Sequence, residues 1–241
     1  MEPSEIERRA AELGPWVSSF EFGGAVYPRA NGTVVTHEIE PRTALHRQRV
    51  AEFFEAFPGA ARILELGILE GADTVHLAAR PGTEVVGIEG RAENLARARF
   101  VMELHGLTEV RLLLGDVETM DLGELGEFDA VMCAGLLYHL TRPWETLADL
   151  RKVTGRLYLQ THYWNRRAET HTVGGYTVKT VSETYSEPRL RGLAERVLWF
   201  DRASLLTALR DAGFDRIQVI RDEADGPVGT IVLTCSASGV C

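Results

Sequence analysis

The chain has 241 residues, a formal net charge of −9 and 45% apolar residues, enough for one α/β domain with a sizeable core, or such a domain with a small cap. The acidic balance, with no run of clustered Lys and Arg, weighs against nucleic acid as the main partner. Cys133, Cys235 and Cys241 are too sparse for a disulfide framework or a zinc site, which fits a reducing cytoplasm, and neither a membrane span nor a signal peptide is expected, because the long apolar run is missing and Met1 to Arg9 is charged.

Ser4 to Leu13 is expected to form a charged helix ended by Gly14 and Pro15. From Trp16 to His37 the aromatic and turn residues Trp16, Phe20, Phe22, Gly23, Gly24, Tyr27 and Pro28 have no helical period, and short strands or an irregular flap are expected. Two readings stand side by side: a cover over a ligand crevice, with Trp16 touching substrate, or an extension packed on the outside of the domain. Pro41 to Phe57 reads as a helix with Val50, Phe53, Phe54 and Phe57 on one apolar face. Arg42, Arg47 and Arg49 fall on its other faces, where solvated side chains are the rule.

Arg62 to Glu89 reads as strand, glycine turn, helix and second strand. Ile63, Leu64 and Leu66 make the short apolar run of a buried parallel strand. Gly67 and Gly71 bracket the turn, and Ala72 to Ala79 is a helix with Val75, Ala78 and Ala79 toward the sheet, ended by Pro81 and Gly82. Glu84 to Ile88 is the next strand, with Glu89 at its carboxyl end, where open α/β sheets border their ligands. A carboxylate about 20 residues past a glycine turn suits a ribose diol. The turn is poorly suited to a dinucleotide: Leu69 is bulky, and Glu70 would place negative charge beside a phosphate at the helix start. A ligand with a ribose, a cationic centre and no phosphate fits better.

Ala92 to His105 is a crossover helix stopped by Gly106, with Leu95, Ala98, Val101, Met102 and Leu104 as core candidates. Val110 to Leu114 is a strand ending in Gly115-Asp116-Val117. Phe128 to Cys133 is another, followed by Gly135-Leu136-Leu137-Tyr138-His139-Leu140 and a helix opened by Thr141 and Pro143, with Leu147, Leu150 and Val153 inward. Arg156 to Thr161 is a strand ending in the polar and aromatic cluster His162-Tyr163-Trp164-Asn165. Residues 166–197 break the alternation over a length unusual for a loop; Tyr176 and Tyr185 favour a substrate cover. Asp201 is the N-cap of a last helix with Leu205, Leu206 and Leu209 inward and Gly213 as its stop. Phe214 to Ile220 and Val228 to Thr234 then pair across Asp225-Gly226-Pro227.

Glu65-Leu66-Gly67-Ile68-Leu69-Glu70-Gly71 resembles the first motif of class I S-adenosylmethionine (SAM)-dependent methyltransferases, (D/E)-x-G-x-G-x-G, with Leu69 replacing the middle glycine. Phe128-Asp129-Ala130-Val131 resembles the F-D-x-V strand that borders the sulfonium in that family, and the closing helix and strand pair resemble the end of its sheet. The resemblance covers about Ala60 to Thr234. It implies a doubly wound, mostly parallel seven-stranded α/β sheet with an antiparallel last strand in a SAM-binding domain (42–241); the N-terminal extension or cover (1–41) and the insertion after strand 5 (166–197) have no template in it and are read from this sequence. It also implies SAM as cofactor. Glu65 would meet the methionine amino group, Gly67 and Gly71 would allow close approach, and Glu89 with Gly90 would hold the ribose. Asp116 and Val117 would read the adenine, with Met120 packed against it, and Cys133 and Ala134 would border the sulfonium. Arg42 or Arg47 is the candidate partner for the methionine carboxylate.

SAM needs positioning more than activation, and a hydroxyl or carbon acceptor also needs a general base. His139 is the first candidate, its reference pKa being close to neutrality, and His162 the second; either has the alternative of orienting substrate or bonding a loop carbonyl. Tyr138 and Tyr163 are candidates to orient an acceptor hydroxyl or to face the cationic sulfur, or simply to pack. Trp164 and Tyr176 join Tyr163 and Trp16 as candidate substrate contacts. The seven histidines lack metal-ligand spacing, so no metal is expected. The reading is a cytoplasmic methyltransferase acting on O, N or C of a small molecule such as a specialised metabolite, without membrane attachment and with the oligomeric state open, a homodimer included. Two others remain. The Gly-Leu-Leu-Tyr-His run resembles one in tRNA wobble-uridine modifying relatives, and a SAM-binding module that transfers no methyl group is the third.

Overall fold

The computed structural model describes residues 1–27, 39–184, 188–224 and 226–239, without the side chains of residues 39–43, 167 and 188. The expected Tyr185 contact and Asp225 turn residue, and the stretch 28–37 of the expected flap, lie outside the described residues.

Seven strands form the central sheet, in the order β11-β12-β7-β6-β3-β4-β5. These are β3 (Arg62–Leu66), β4 (Glu84–Glu89), β5 (Val110–Leu114), β6 (Ala130–Ala134), β7 (Arg156–Trp164), β11 (Arg216–Glu223) and β12 (Val228–Ser236). β3, β4 and β5 pair in parallel, as do β6 and β7, whereas β12 is antiparallel to both β7 and β11. The expected fold class is the observed one. The chain divides into two compact units, Met1–Gly115 and Asp116–Cys241. Among the described residues no helix is long and apolar enough to cross a membrane.

In the first unit, α1 (Pro3–Leu13) precedes a hairpin of β1 (Phe20–Phe22) and β2 (Ala25–Tyr27). Ile6, Ala10, Trp16, Phe20 and Tyr27 pack against Phe100, Val101, Met102 and Leu104 of α4 (Ala92–His105). Burying a large apolar side chain contributes about 1.5–3 kcal/mol, so this aromatic group fixes the segment firmly. Glu70 adds a polar fastening: its carboxylate accepts from Val17 N at 3.0 Å and Ser18 N at 2.6 Å. The negative charge read as a bar to phosphate is therefore turned toward the N-terminal segment.

α2 (Ile39–Ala56) buries Val50 and Phe53, with Phe57 buried just past its end, whereas Phe54 of the expected face is half-buried. Arg49, expected to be solvated, is buried as well, because α3 (Ala72–Ala78) presents a carboxylate to it. The expected inner face of α3, Val75, Ala78 and Ala79, is the wrong one: Asp73, Thr74 and Leu77 are buried. An apolar-period reading misses a helix whose buried face carries a salt-bridged acid.

In the second unit β7 is three residues longer than expected, because β12 pairs with it along its whole length, from Trp164↔Val228 to Arg156↔Ser236. His162, Tyr163 and Trp164 thus alternate within a strand instead of clustering in a loop. The 166–197 insertion is neither loop nor linker. β8 (His171–Val173), β9 (Tyr176–Ser182) and β10 (Arg196–Phe200) make a separate antiparallel sheet in the order β10-β9-β8. Trp199 and Phe200, expected to lead into the last helix, are its final residues. α5 (Pro143–Val153) and α6 (Arg202–Asp211) complete the unit.

Candidate active site

The turn after β3 carries the first half of the chemistry. Gly67 has φ 69° and Leu69 φ 54°, a left-handed conformation that non-glycine residues rarely adopt. The middle position of the motif thus keeps the backbone a glycine would supply, with a leucine in it. In that conformation Leu69 N donates to Glu89 Oε2 at 2.8 Å. Glu89 Oε1 accepts from Arg91 N at 3.0 Å and is 3.4 Å from Asn94 Nδ2. Asn94 Oδ1 accepts from Arg97, whose Nε also donates to Leu13 O at 2.8 Å. A polar chain from the end of α1 to Glu89 therefore holds the carboxylate in place. Burial raises the Glu89 pKa, and the two backbone N–H groups and Asn94 oppose that.

Glu65, on β3, is buried, and its Oε2 has no hydrogen-bond partner among the described residues. Asp73 lies close enough to raise its pKa, yet Asp73 itself is fully met: Oδ2 is 2.7 Å from Arg49 Nη2 and Oδ1 is 2.8 Å from His46 Nδ1. Burial first, and then the Asp73 charge, push the Glu65 carboxyl up to about 8. The Thr74 hydroxyl and Arg49 pull the other way, although that hydroxyl makes no hydrogen bond of normal geometry among the described residues.

In the second unit Gly135 (φ 84°) turns the chain into a short 3-10 helix, Leu137–His139. His139 Nδ1 is 3.0 Å from Glu183 Oε1, and the two side chains are 10% and 1% exposed. Glu183 Oε2 accepts from Gly192 N at 3.1 Å. Gly192 is a glycine by necessity, since a Cβ there would stand 2.6 Å from His139 O. The Tyr138 ring lies between His139 and His162, with centroids 4.2 and 4.3 Å away, and Trp199 meets Tyr138 edge-on and stacks on His162. His162 Nδ1 is 2.9 Å from Thr230 Oγ1. Burial, and then His139, lower its pKa.

Comparison with known proteins supplies the family. A family described as "Methyltransferase domain" matches residues 63–156. The N-terminal domain of EvdMO1, crystallised in the presence of SAH and D-fucose, is 50% identical over 98% of this chain and 97% of that one, with a TM-score of 0.90. The chain belongs to the class I SAM-dependent methyltransferases. The same EvdMO1 domain has also been crystallised with SAH bound (50% identity, TM-score 0.88). Against whole EvdMO1 the match is 46% identical and covers 98% of this chain but 48% of that one, with a TM-score of 0.78. A curated relative, the uncharacterized protein syc1184_c of a Synechococcus species, is 35% identical over 94 residues, 22% of its length; the chain spans only a fraction of that relative.

SAM is the cofactor of this methyltransferase, and the first unit fits it. The orphaned Glu65 oxygen is what an ammonium group would complete, and Glu89 is a fixed, desolvated carboxylate suited to a ribose. Gly67 gives the turn its left-handed start. Gly71 serves packing instead, since a Cβ there would lie 3.0 Å from Met102 Cε and 3.3 Å from Ala98 Cβ; its bareness lets α3 approach α4. Gly90 and Ala134 are half-buried beside their strand ends. Asp116 Oδ1 accepts from Glu118 N at 3.0 Å, closing a tight turn, and Val117 is buried behind it. Met120 is half-buried on the same turn. Cys133 is buried, which pushes its thiol up to about 12 and leaves it inert at neutral pH. Arg47 is paired with Glu21, so it is not a waiting carboxylate receptor, and the Arg42 side chain lies outside the described residues.

The expected substrate contacts fare less well. Trp16 is fully buried and its indole N–H donates to Ala10 O. Tyr163 is 1% exposed, packs over Gly229 and donates to Asp222 at 2.8 Å. Tyr176 donates to Asp211 of α6 at 2.9 Å and packs with Trp144 and Phe200. Trp16 and Tyr163 are thus buried in packing, whereas Tyr176 is half-buried: an aromatic near a strand end in sequence says nothing about which face it takes. Trp164 lies beneath the Lys179 ammonium, 5.2 Å from the ring centroid. Sequence reasoning missed His46, Arg49, Asp73, Asn94, Arg97, Glu183 and Trp199. Only the Asn94–Arg97 spacing on α4 carried a local signal, since i and i+3 share a helix face.

Proposed function

We propose that the chain methylates a hydroxyl oxygen of a small, sugar-like molecule, with His139 as general base. The observation that carries this reading is the His139–Glu183 pair. With Nδ1–H given to the carboxylate, the Nε2 lone pair is left as the acceptor, the tautomer a base requires. An amine acceptor would need no such arrangement, whereas a hydroxyl acceptor does, and a positioned base is worth about 10²–10⁴-fold in rate. That EvdMO1's N-terminal domain was crystallised with D-fucose supports a deoxysugar-like acceptor.

Bound SAM supplies the electrophilic methyl group. Glu65 would bind its ammonium end, Glu89 its ribose and Asp116 its adenine amine. Holding the reactants in line can supply several kcal/mol by orientation alone. His139 Nε2 takes the acceptor's hydroxyl proton, and Glu183 stabilises the imidazolium that forms. Tyr138 and His162 line the same cluster and orient the acceptor; burial disfavours the charged form of His162, which suits it to hydrogen bonding.

The test is incubation with methyl-labelled SAM and a panel of 6-deoxyhexoses, hexoses, amino sugars and tRNA. Label in a hydroxyl-bearing sugar, lost in His139→Ala while SAH still binds, is the expected result. Label only in amines, or in tRNA, would overturn the reading.

A further inference from the structure

We propose that Glu65 stands as a neutral carboxylic acid in the free protein and gives up its proton when the ammonium group of the cofactor's methionine end arrives, so that binding exchanges a proton for a cation. This rests on the reading of Glu65 as the ammonium contact. The geometry is a mismatch of charges. Among the described residues two buried carboxylates, Glu65 and Asp73, share a cluster with one guanidinium, Arg49. Asp73 takes that guanidinium at 2.7 Å and the His46 ring at 2.8 Å. Glu65 Oε2 is left with no partner among the described residues. An isolated buried carboxylate is far costlier than a buried acid, so such a group takes up a proton. The groups facing it are Asp73 and Thr74 from α3 and Arg49 from α2, with His46 acting through Asp73. Burial and the Asp73 charge raise the Glu65 pKa, in accord with the geometry.

The exchange balances. The Glu65 O–H bond breaks, its proton goes to solvent, and the carboxylate so formed pairs with the incoming ammonium, which keeps its own three protons. Affinity for a ligand carrying that ammonium must then rise with pH through the neutral range and level off once the free acid is already ionised.

The experiment is calorimetric titration of the full chain with SAH, at pH 6.5, in buffers of differing ionisation enthalpy, alongside 5′-methylthioadenosine. The second ligand shares the nucleoside and the sulfur but lacks the amino-acid end. Release of about one proton is expected with SAH and none with methylthioadenosine. Between pH 6 and 7 the SAH Kd should tighten about tenfold, the slope for one linked proton, while that of methylthioadenosine stays level. Glu65→Gln should keep its fold by thermal melting, bind SAH with no pH dependence and release no proton. If SAH binds without releasing a proton, or if methylthioadenosine releases as many, the exchange is overturned and the cofactor site stands. If SAH does not bind at all, the ammonium assignment falls with it.

Discussion

His139 Nδ1 and Glu183 Oε1, 44 residues apart in sequence, stand 3.0 Å apart in a nearly dry setting. The imidazole belongs to a turn after β6 and the carboxylate to the end of β9, so the pair is made by tertiary structure. Replacing Glu183 with Gln should lower kcat by about 10- to 100-fold, as loss of a charge-assisted hydrogen bond worth about 1.5–3 kcal/mol requires. SAH affinity should be unchanged. Steady-state kinetics with calorimetry checks this; an equal loss in SAH binding would make Glu183 a folding residue only.

Leu69 holds a left-handed conformation that costs a non-glycine residue about 1–2 kcal/mol. Leu69→Gly relieves that strain while adding flexibility to the unfolded chain, about 0.5–1 kcal/mol. Strain relief exceeds that cost by about 0.5–1 kcal/mol, so the melting temperature should rise slightly and SAH should still bind. Leu69→Val, with a stiffer β-branched side chain, should be clearly destabilised.

Glu70 accepts from two backbone N–H groups of the N-terminal segment and lies 3.8 Å from Arg97 Nε. Removing a buried charged partner costs about 3–5 kcal/mol. Glu70→Ala should therefore lower the melting temperature and expose the first 27 residues to limited proteolysis earlier than the rest of the chain. Equal cleavage rates in wild type and variant would refute the fastening.

A Cβ at position 229 would lie 2.1 Å from the Tyr163 ring. Gly229→Ala should therefore destabilise strongly, and Tyr163→Ala should remove most of that penalty. A double-mutant cycle by denaturant unfolding reads the coupling, expected at about 1–3 kcal/mol.

Much of the fold was legible because buried parallel strands and glycine stops leave local marks. Ala92–His105 and Val110–Leu114 have the ends their sequences announce. The positions of Glu65 on β3 and Glu89 at the end of β4 were legible for the same reason: they flank a glycine turn of short sequence reach. Three kinds of residue were not. Asp73 and Arg49 satisfy one another on facing helices, which makes both look like surface residues in a one-dimensional reading. In the inserted sheet β8 and β9 are polar and bury little, so they lack an apolar period, and only β10 buries an inner face. Tyr163 and Trp16 are aromatic, a property shared by substrate platforms and by packing, and only burial separates the two.

The His139–Glu183 pair joins two parts of the chain that are built separately. His139 stands on the turn after β6 of the central sheet, whereas Glu183 arrives at the end of β9 in the separate three-stranded sheet. Under the proposed reading, a chain cut of residues 166–197 would keep its nucleoside residues and its imidazole but lose the imidazole's anionic neighbour, and with it the means to deprotonate a hydroxyl acceptor.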